Sequence, residues 1–373
     1  MCGIGQSVTF FQSRTTQAHA RLTIDGGYLM QTLLNTLYVM TPNSYAHLEN
    51  ATIRIDVERE KRLQVPLHHL TSVVCFGNVM VSPALMHRLA EEGKSLVLLD
   101  ERGRFKARLE GPISGNILLR QAQHQRAGDA AFALNFARSC IAGKVKNSRQ
   151  VLMRAAREAI DASEEQSLTR TADDLAASLR ALVAAQDLDV LRGVEGEAAR
   201  NYFGAMNQVI KPAYRNEFAF TGRTRRPPLD PLNALLSFLY SMLTNDCRSA
   251  IESVGLDPQL GFLHVVRPGR AALALDLMEE FRPFIADRLA LTLLNRAQIT
   301  IEDFDRREGG AVLLNERGRK SVVIAYQERK QEELQHPLLD TKVQIGILPL
   351  IQARLMARNI RGETEQYLPF VSR

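Results

Sequence analysis

The sequence predicts an α+β protein with a small, mostly β N-terminal domain followed by a larger, all-helical C-terminal domain. Three observations support this prediction. Apolar and polar residues alternate near the start of the chain, helical spacing dominates later, and a cluster of glycines and a proline separates the two patterns. The 373 residues, 45% of them hydrophobic, are also enough for about two domains at roughly 150 residues each.

The β domain is expected between residues 30 and 111. Residues 51–57 alternate between apolar and polar side chains, as a strand with one buried face does. Short apolar runs at 73–76 and 96–99 indicate buried strands, and residues 83–92 have helical spacing that ends at Gly93. A turn over 100–103 is expected to lead into a strand over 105–109, which completes a mostly β domain with one helix.

The domain boundary is placed at residues 111–115, Gly-Pro-Ile-Ser-Gly, and residues 112–373 are expected to form the helical domain. Residues 1–29 are polar and lack a clear pattern, so they are expected to be unstructured or an extension. Asp230 as N-cap, Pro231 at the first helical position and Gly255 after the end delimit one helix with particular clarity. Helices are predicted over 116–142, 146–162, 172–186 (with a capping box at Thr171 and Asp174), 188–210, 231–254, 271–297, 319–333 and 341–358.

Composition narrows the class of protein. No run approaches the roughly 18 to 20 apolar residues of a membrane-spanning helix, and residues 1–29 do not have the pattern of a secretory signal. The four cysteines are far apart and form no CxxC pair, so a soluble protein in the reducing cytoplasm, with no membrane partner, is expected. A net charge of +6 permits a polyanionic partner, and Arg223, Arg225 and Arg226 crowd one loop.

Candidate chemistry lies in the helical half, because no Walker A loop, GxGxxG, HExxH, GxSxG or EF-hand loop is present. Glu195 lies between Gly193 and Gly196 within a helical pattern. Each glycine costs a helix roughly 1 kcal/mol relative to alanine, so the pair suggests that something approaches the backbone closely. Taken alone, a surface glutamate in a loosely packed helix is the more common explanation.

A second group of candidates follows. His264 closes the string GFLH, while Asp276 and Glu279 are three residues apart and share one helix face. Glu280, four residues after Asp276, also lies close. Neighbouring carboxylates repel one another unless a divalent cation neutralises them, and carboxylate and imidazole ligands without a thiolate suit Mg²⁺ or Mn²⁺.

Four strings in order carry a resemblance to a known family. GVEGEAARNYF, RRPPLDPLNALLSFLYSML, GFLH and ALALDLMEEFRP, in a helical domain behind a small β domain, resemble the CRISPR-associated protein one family, the integrase of CRISPR adaptation. The resemblance covers about residue 30 to the C-terminus. It implies that Glu195, His264 and Glu279 bind a divalent metal and are catalytic, with Asp276 at a second acidic position. Glu279 stands where the family often has aspartate, which leaves the division of roles between Asp276 and Glu279 open.

The resemblance also implies partners and a reaction. The β domain is expected to mediate homodimerisation, with two dimers bridged by the small CRISPR-associated protein two. The assembly is expected to capture a short foreign DNA duplex and join its 3′-hydroxyls to phosphodiesters of the CRISPR repeat, inserting new spacers. Arg282 and Tyr240 match positions near the site, and with Arg223, Arg225 and Arg226 they are the weaker candidates for DNA binding.

Two alternatives remain open at this level. The same ligands would also suit a metal-dependent nuclease that acts on other branched DNA or RNA, since they would equally activate water. A non-catalytic DNA-binding scaffold would use the arginines alone.

Overall fold

The computed structural model describes residues 36–100, 105–109, 111 and 117–372, together with three short strand segments nearer the N-terminus. The described residues divide into two compact units. The first unit contains the described part of Met1–Ser114 with Gln327–Leu334 and Lys342–Ile347. The second contains the described part of Gly115–Arg373 apart from those two segments. A mixed α+β fold, with strands followed by a mostly helical region, is therefore confirmed.

Two sheets and one helix form the first unit. A five-stranded sheet has the order β1-β4-β8-β10-β11, in which β8 runs parallel to both β4 and β10, and a four-stranded sheet has the order β7-β6-β5-β9. The strands are β1 Val8–Phe10, β2 Leu22–Thr23, β3 Tyr28–Leu29, β4 Thr36–Val39, β5 Ser44–Glu49, β6 Thr52–Val57, β7 Glu60–Pro66, β8 Ser72–Phe76, β9 Val79–Val81, β10 Ser95–Leu99 and β11 Phe105–Leu109. Helix α1 spans Pro83–Glu91, and the Ser82 side chain caps its N-terminus.

One hydrophobic core holds this unit together. Ile53 and Ile55 of β6 are fully buried, whereas Arg54 between them is partly exposed, as the alternating pattern predicts. They share the core with Val73 of β8 and Leu85 of α1. The antiparallel pairing of β10 with β11 agrees with the predicted hairpin, and of its predicted turn at 100–103 only Asp100 is among the described residues.

Residues 1–29 were expected to lie outside the fold. The structure describes β1, β2 and β3 within this range, and β1 pairs antiparallel with β4 at the edge of the five-stranded sheet. The rest of that expectation concerns residues that lie outside the described part of the chain. The same holds for residues 112–115 of the predicted boundary, whereas Gly111 is described.

The remaining helices are α2 Ile117–Ala127, α3 Ala130–Glu158, α4 Ala162–Ala184, α5 Leu188–Gly204, α6 Met206–Val209, α7 Pro231–Ser253, α8 Ala272–Glu279, α9 Arg288–Asn295, α10 Glu316–Gln331 and α11 Leu348–Ile360. Short 3₁₀ turns cover Leu67–His69, Pro212–Tyr214, Ile301–Asp303 and Ile345–Ile347. Four short strands lie in the region expected to be all-helical, which is therefore mostly helical and not entirely so: β12 Phe304–Arg306, β13 Val312–Leu314, β14 Glu333–Gln335 and β15 Lys342–Gln344. None of the helices in the described part of the chain is long and apolar enough to cross a membrane.

Helix α7 confirms the predicted 231–254 helix. The Asp230 side chain accepts a hydrogen bond from the Asn233 amide at 2.7 Å, and Gly255 adopts a positive φ of 86° just after the end. The predicted bounds of the helix at 172–186 are wrong. Helix α4 begins at Ala162, with Asp161 as its N-cap, and Thr171 lies within the helix, where its hydroxyl donates to the Ser167 carbonyl instead of capping.

Two predicted helices between 116 and 162 also differ from those observed. The chain breaks at Asp129, which caps α3, and α3 then continues without interruption through Gly143. A Cβ on Gly143 would lie 2.7 Å from the Cβ of Pro369 and 3.2 Å from that of Glu280. This glycine therefore permits close packing and does not end a helix.

The predicted 271–297 helix is divided into three parts. Helix α8 ends at Glu279, a π-helical turn covers Arg282–Asp287, and α9 follows. Pro283 lies in the π-helical turn and has no N–H to continue the regular ladder of hydrogen bonds. The interruption directly follows the residues predicted to bind metal.

A candidate active site in the helical unit

The predicted ligands converge in the second unit from separate parts of the chain. Glu195 lies on α5, His264 in the loop before α8, and Glu279 at the last residue of α8. A fourth side chain, Lys144 of α3, joins them, although no sequence motif indicated it.

Asp276 holds the loop that carries His264. Its carboxylate is fully buried and accepts hydrogen bonds from the backbone amides of Phe262, Leu263 and His264 at 2.7, 3.0 and 3.0 Å. The same carboxylate lies 2.7 Å from Nδ1 of His264. Because a carboxylate only accepts, Nδ1 carries a proton, and in the neutral imidazole Nε2 is then the nitrogen with the lone pair. Asp276 therefore positions the imidazole, an arrangement common behind metal-binding histidines.

Gly261 explains why the GFLH string begins with glycine. A Cβ at this position would lie 2.6 Å from Oδ2 of Asp276 and 2.7 Å from the carbonyl carbon of Ala272. Both distances are shorter than side-chain packing allows. The absence of a side chain lets the loop approach α8 closely enough for its amides to reach Asp276.

Glu279 is the buried anion of the cluster, with its side chain only 3% exposed. Its Oε1 lies 2.9 Å from Arg282 and 3.7 Å from Nε2 of His264. Its Oε2 lies 2.7 Å from Nζ of Lys144, an ionic contact without the direction of a hydrogen bond. Burial raises the pKa of Glu279, but the positive charges of Arg282 and Lys144 outweigh burial and lower that pKa to about 2. This carboxylate is therefore ionised at neutral pH.

Lys144 connects the two predicted carboxylate ligands. Its ammonium donates a short hydrogen bond to Oε1 of Glu195 while it contacts Glu279, and its side chain is only 11% exposed. A single positive charge thus lies between carboxylates from α5 and α8. That position between two anions is where a metal ion shared by the same carboxylates would be attracted.

The glycines beside Glu195 are not explained by packing within the chain. No described atom of the protein lies within 4 Å of a Cβ built on Gly193 or Gly196. A close approach of a bound molecule to the backbone at these glycines stays a prediction. Both glycines are exposed on α5.

Behind the cluster, α8 is tied to the C-terminal segment by Glu280. This carboxylate is fully buried and accepts hydrogen bonds from the Tyr367 hydroxyl at 2.5 Å and from the Phe370 amide. Burial raises the pKa of Glu280 to about 8, although these hydrogen bonds act in the opposite direction. Asn147 of α3 donates to the Glu280 carbonyl at 2.7 Å. Glu280 therefore anchors the end of α8 and does not join the cluster of its neighbour Glu279.

Tyr240 supports arginines from two segments. The guanidinium carbons of Arg282 and Arg223 lie 4.8 and 5.3 Å from its ring centroid. Its hydroxyl donates to Asp287 at 2.6 Å, and the Tyr202 hydroxyl donates to the same carboxylate at 3.0 Å. Burial raises the pKa of Asp287 to about 6, against the opposing hydrogen bonds and arginines. Asp287 and Tyr202 were not predicted as site residues, since neither lies in a recognisable charge pattern.

The arginine-rich loop has two distinct parts. Arg223 is partly buried and donates to the Thr224 carbonyl at 2.7 Å and the Asn233 side chain at 2.6 Å. Desolvation lowers its pKa. Arg225 and Arg226 are exposed. Arg223 therefore organises the loop, while Arg225 and Arg226 are available at the surface.

A cleft adjoins the cluster. Lys144, Glu195, Arg223, Arg225, Tyr240 and Arg282 contribute to its lining. The whole lining holds four cationic and two acidic side chains, the acids being Glu195 and Asp287, so its excess of positive charge suits a polyanion. A polyanion bound in this cleft would lie next to Glu195.

The side chains fit a divalent metal by their chemistry. Among the described residues no three His, Cys, Asp or Glu side chains are grouped closely enough to hold a metal ion as they stand, and Lys144 lies between the two carboxylates. The oxygen donors of Glu195 and Glu279 with Nε2 of His264 form a set that Mg²⁺ or Mn²⁺ accepts. Asp276 is committed to His264 and three amides, so the geometry favours Glu279 over Asp276 as the ligand from α8.

The fold and this cluster define an α+β protein whose helical unit carries paired carboxylates and an oriented histidine beside a basic cleft. The family model described as CRISPR associated protein Cas1 matches residues 37–328. A CRISPR-associated endonuclease Cas1 of Moorella thermoacetica is 54% identical over 344 residues, which are 92% of this chain and 100% of that relative. One from Rhodospirillum rubrum is 50% identical over 345 residues, 91% of this chain and 99% of the relative. The chain belongs to the Cas1 family.

Solved structures share the fold. A CAS1 protein from Thermotoga maritima has a TM-score of 0.75 at 22% identity, covering 91% of this chain and 99% of that chain. A casposase bound to an integration product has a TM-score of 0.76 at 22% identity, covering 89% and 92%. A Cas6-RT-Cas1–Cas2 complex has a TM-score of 0.77 at 23% identity, covering 91% of this chain and 36% of that chain. The resemblance to the Cas1 family inferred from the four sequence strings is confirmed.

Proposed function

We propose that this protein is a divalent-metal-dependent DNA endonuclease and integrase of CRISPR adaptation, which inserts short foreign DNA into the CRISPR array. The observation that carries the proposal is that Glu195 and Glu279 both contact the ammonium of Lys144, with His264 oriented beside them. The relatives' name, CRISPR-associated endonuclease, supports the nuclease part. Joining by 3′-hydroxyl transesterification is the more specific part of the proposal.

Glu195, His264 and Glu279 are the proposed ligands of Mg²⁺ or Mn²⁺. When bound, the cation would activate the attacking oxygen and stabilise charge on the phosphorane-like transition state. Asp276 keeps the Nδ1 proton of His264 in place, so Nε2 presents its lone pair to the cluster. Because the pKa of Glu279 is lowered to about 2, its carboxylate is already ionised at neutral pH and need not lose a proton before it binds the cation.

The arginines are proposed to bind the DNA backbone. Arg282 lies within hydrogen-bonding reach of Glu279 and is held against the Tyr240 ring, so its charge has a fixed place beside the reacting phosphate. Exposed Arg225 and Arg226 would contact phosphates further along the duplex. Tyr240 acts by holding Arg282 and Arg223 against its ring, because its hydroxyl already donates a hydrogen bond to Asp287.

The proposed partners are double-stranded DNA, a second copy of this chain and the small companion Cas2. The complexes named Cas6-RT-Cas1–Cas2 have a Cas1 part with this fold, which makes Cas2 a reasonable partner to test. The homodimer is proposed to form through the β-rich unit, as the family resemblance implies.

The test of function is a joining assay. We expect wild-type protein with Mg²⁺, Cas2, a plasmid carrying a CRISPR repeat and a labelled duplex with free 3′-hydroxyls to yield covalently joined plasmid. His264→Ala and Glu279→Gln should give no joined product while they still bind DNA, because the arginines remain. A duplex with blocked 3′ ends should give no product even with wild-type protein, since it lacks the nucleophile.

The outcomes separate the alternatives. Nicked plasmid without joining, despite free 3′ ends, would favour a nuclease that uses water. DNA binding without cleavage or joining at any metal concentration would favour a scaffold.

Metal binding is tested separately by thermal unfolding. Mn²⁺ should raise the melting temperature of the wild type, because a ligand that binds the native state stabilises it. Glu195→Ala should lose most of that increase while it remains folded. The same increase in both proteins would exclude Glu195 as a ligand.

A further inference from the structure

We propose that Lys144 is a metal-responsive switch, which holds Glu195 and Glu279 together in the metal-free protein and turns into the adjoining cleft to bind a DNA phosphate when a divalent cation takes its place. The proposal rests on the metal-dependent function proposed above. It assigns a second partner to a lysine that no sequence motif singled out.

The contacts of Lys144 place it in the metal position. Its ammonium contacts carboxylates from two helices, and its side chain is 11% exposed while Glu279 is 3% exposed. Without a cation between them, the buried Glu279 carboxylate and the Glu195 carboxylate, whose side chain is 29% exposed, would repel each other. Lys144 therefore keeps the ligands assembled before metal arrives.

The charges of the cluster require a change when metal binds. Lys144 and Arg282 already balance the negative charges of Glu195 and Glu279, and the third carboxylate, Asp276, is committed to amides and His264. A divalent cation added beside an unmoved Lys144 would leave two uncompensated positive charges at the buried end of the site. Displacement of the ammonium removes one of them, and a DNA phosphate compensates the other.

The adjoining cleft can accommodate the displaced ammonium of Lys144. Lys144 lines the same cleft as Arg223, Arg225 and Arg282, where a phosphate is the fitting partner for a further cation. The lysine side chain has a flexible four-carbon stem, so a change of rotamers suffices and the helix need not move. Metal and DNA should therefore bind cooperatively, each raising the affinity for the other.

Calorimetric titration with Mn²⁺ tests the competition, with the full-length protein at one pH. Lys144→Met should bind Mn²⁺ about tenfold more tightly than wild type, because Mn²⁺ then has no lysine ammonium to displace from the two carboxylates. It should also melt at a lower temperature in EDTA. Lys144→Gln should behave in the same way, which guards against a folding defect in the first variant. Lys146→Met is the matched control, since Lys146 is exposed on the same helix, and it should bind Mn²⁺ as wild type does.

Fluorescence anisotropy with a short duplex blocked at its 3′ ends tests the second step. Mn²⁺ should raise the DNA affinity of wild type and Lys146→Met by about fivefold or more, and this gain should be largely lost in Lys144→Met. If Lys144→Met binds Mn²⁺ no more tightly than wild type, or keeps the full gain in DNA affinity, the switch is wrong while the proposed function stands. If neither wild type nor Lys144→Met binds Mn²⁺, the metal-dependent function fails, and the switch fails with it.

Discussion

Asp287 makes the stability of the helical unit depend on pH in a direction unusual for an aspartate. Its carboxylate is 1% exposed and has a pKa of about 6, against 3.8 for the unperturbed group. Because the folded state binds the proton more tightly than the unfolded state, this group loses stability as pH rises through 3.8 to 6. The full loss is about 3 kcal/mol, from about two pKa units at 1.36 kcal/mol each.

Asp287→Asn should abolish this dependence, since asparagine resembles the protonated carboxyl and does not ionise. Between pH 5 and pH 8, the wild type should therefore lose about 1.4 kcal/mol of unfolding free energy relative to the variant. Urea unfolding of both proteins at several pH values measures this difference. Other buried acids, such as Glu280, titrate in both proteins and cancel in the comparison.

Tyr202→Phe provides a matched comparison. It keeps the carboxylate but removes a hydrogen bond that lowers the pKa of Asp287, so that pKa should rise. The decrease in unfolding free energy should therefore continue to higher pH than in the wild type. Parallel pH profiles for wild type and Asp287→Asn would refute the reasoning, because they would mean that Asp287 titrates alike in both states.

Two further predictions follow from burial and space. Replacing Arg225 and Arg226 together with alanine should flatten the dependence of DNA affinity on salt, since exposed arginines that bind phosphates release counterions. Arg223→Ala should chiefly lower the melting temperature, because Arg223 bonds to the Asn233 side chain within the protein. An unchanged salt slope in the double variant would mean that this loop does not contact DNA. Gly261→Ala should cost more than about 2 kcal/mol of unfolding free energy because it collides with Asp276, whereas Gly193→Ala should add about 0.5 to 1 kcal/mol. Similar urea midpoints for the two glycine variants would contradict this.

Much of the fold could be predicted because the relevant signals are local. The alternation around Ile53 and Ile55 reflects one buried sheet face, and Asp230 with Gly255 delimits α7 through its own hydrogen bonds and backbone conformation. Helix bounds were wrong where packing overrides local preference. Gly143 continues a helix because Pro369 packs against it, and Pro283 interrupts a helix whose apolar pattern continues.

The sequence by itself singled out Glu195, His264 and Glu279 as candidates, because they lie in the short strings that carry the resemblance to the family. Only the tertiary structure decided what surrounds each of them. Asp276 turns to three amides and His264 because Gly261 lets the loop approach, which leaves Glu279 facing Lys144. Lys144 meets Glu195 across 51 residues of sequence because α3 and α5 pack together. Such a contact depends on how helices pack side by side, and no local pattern of residue types encodes it.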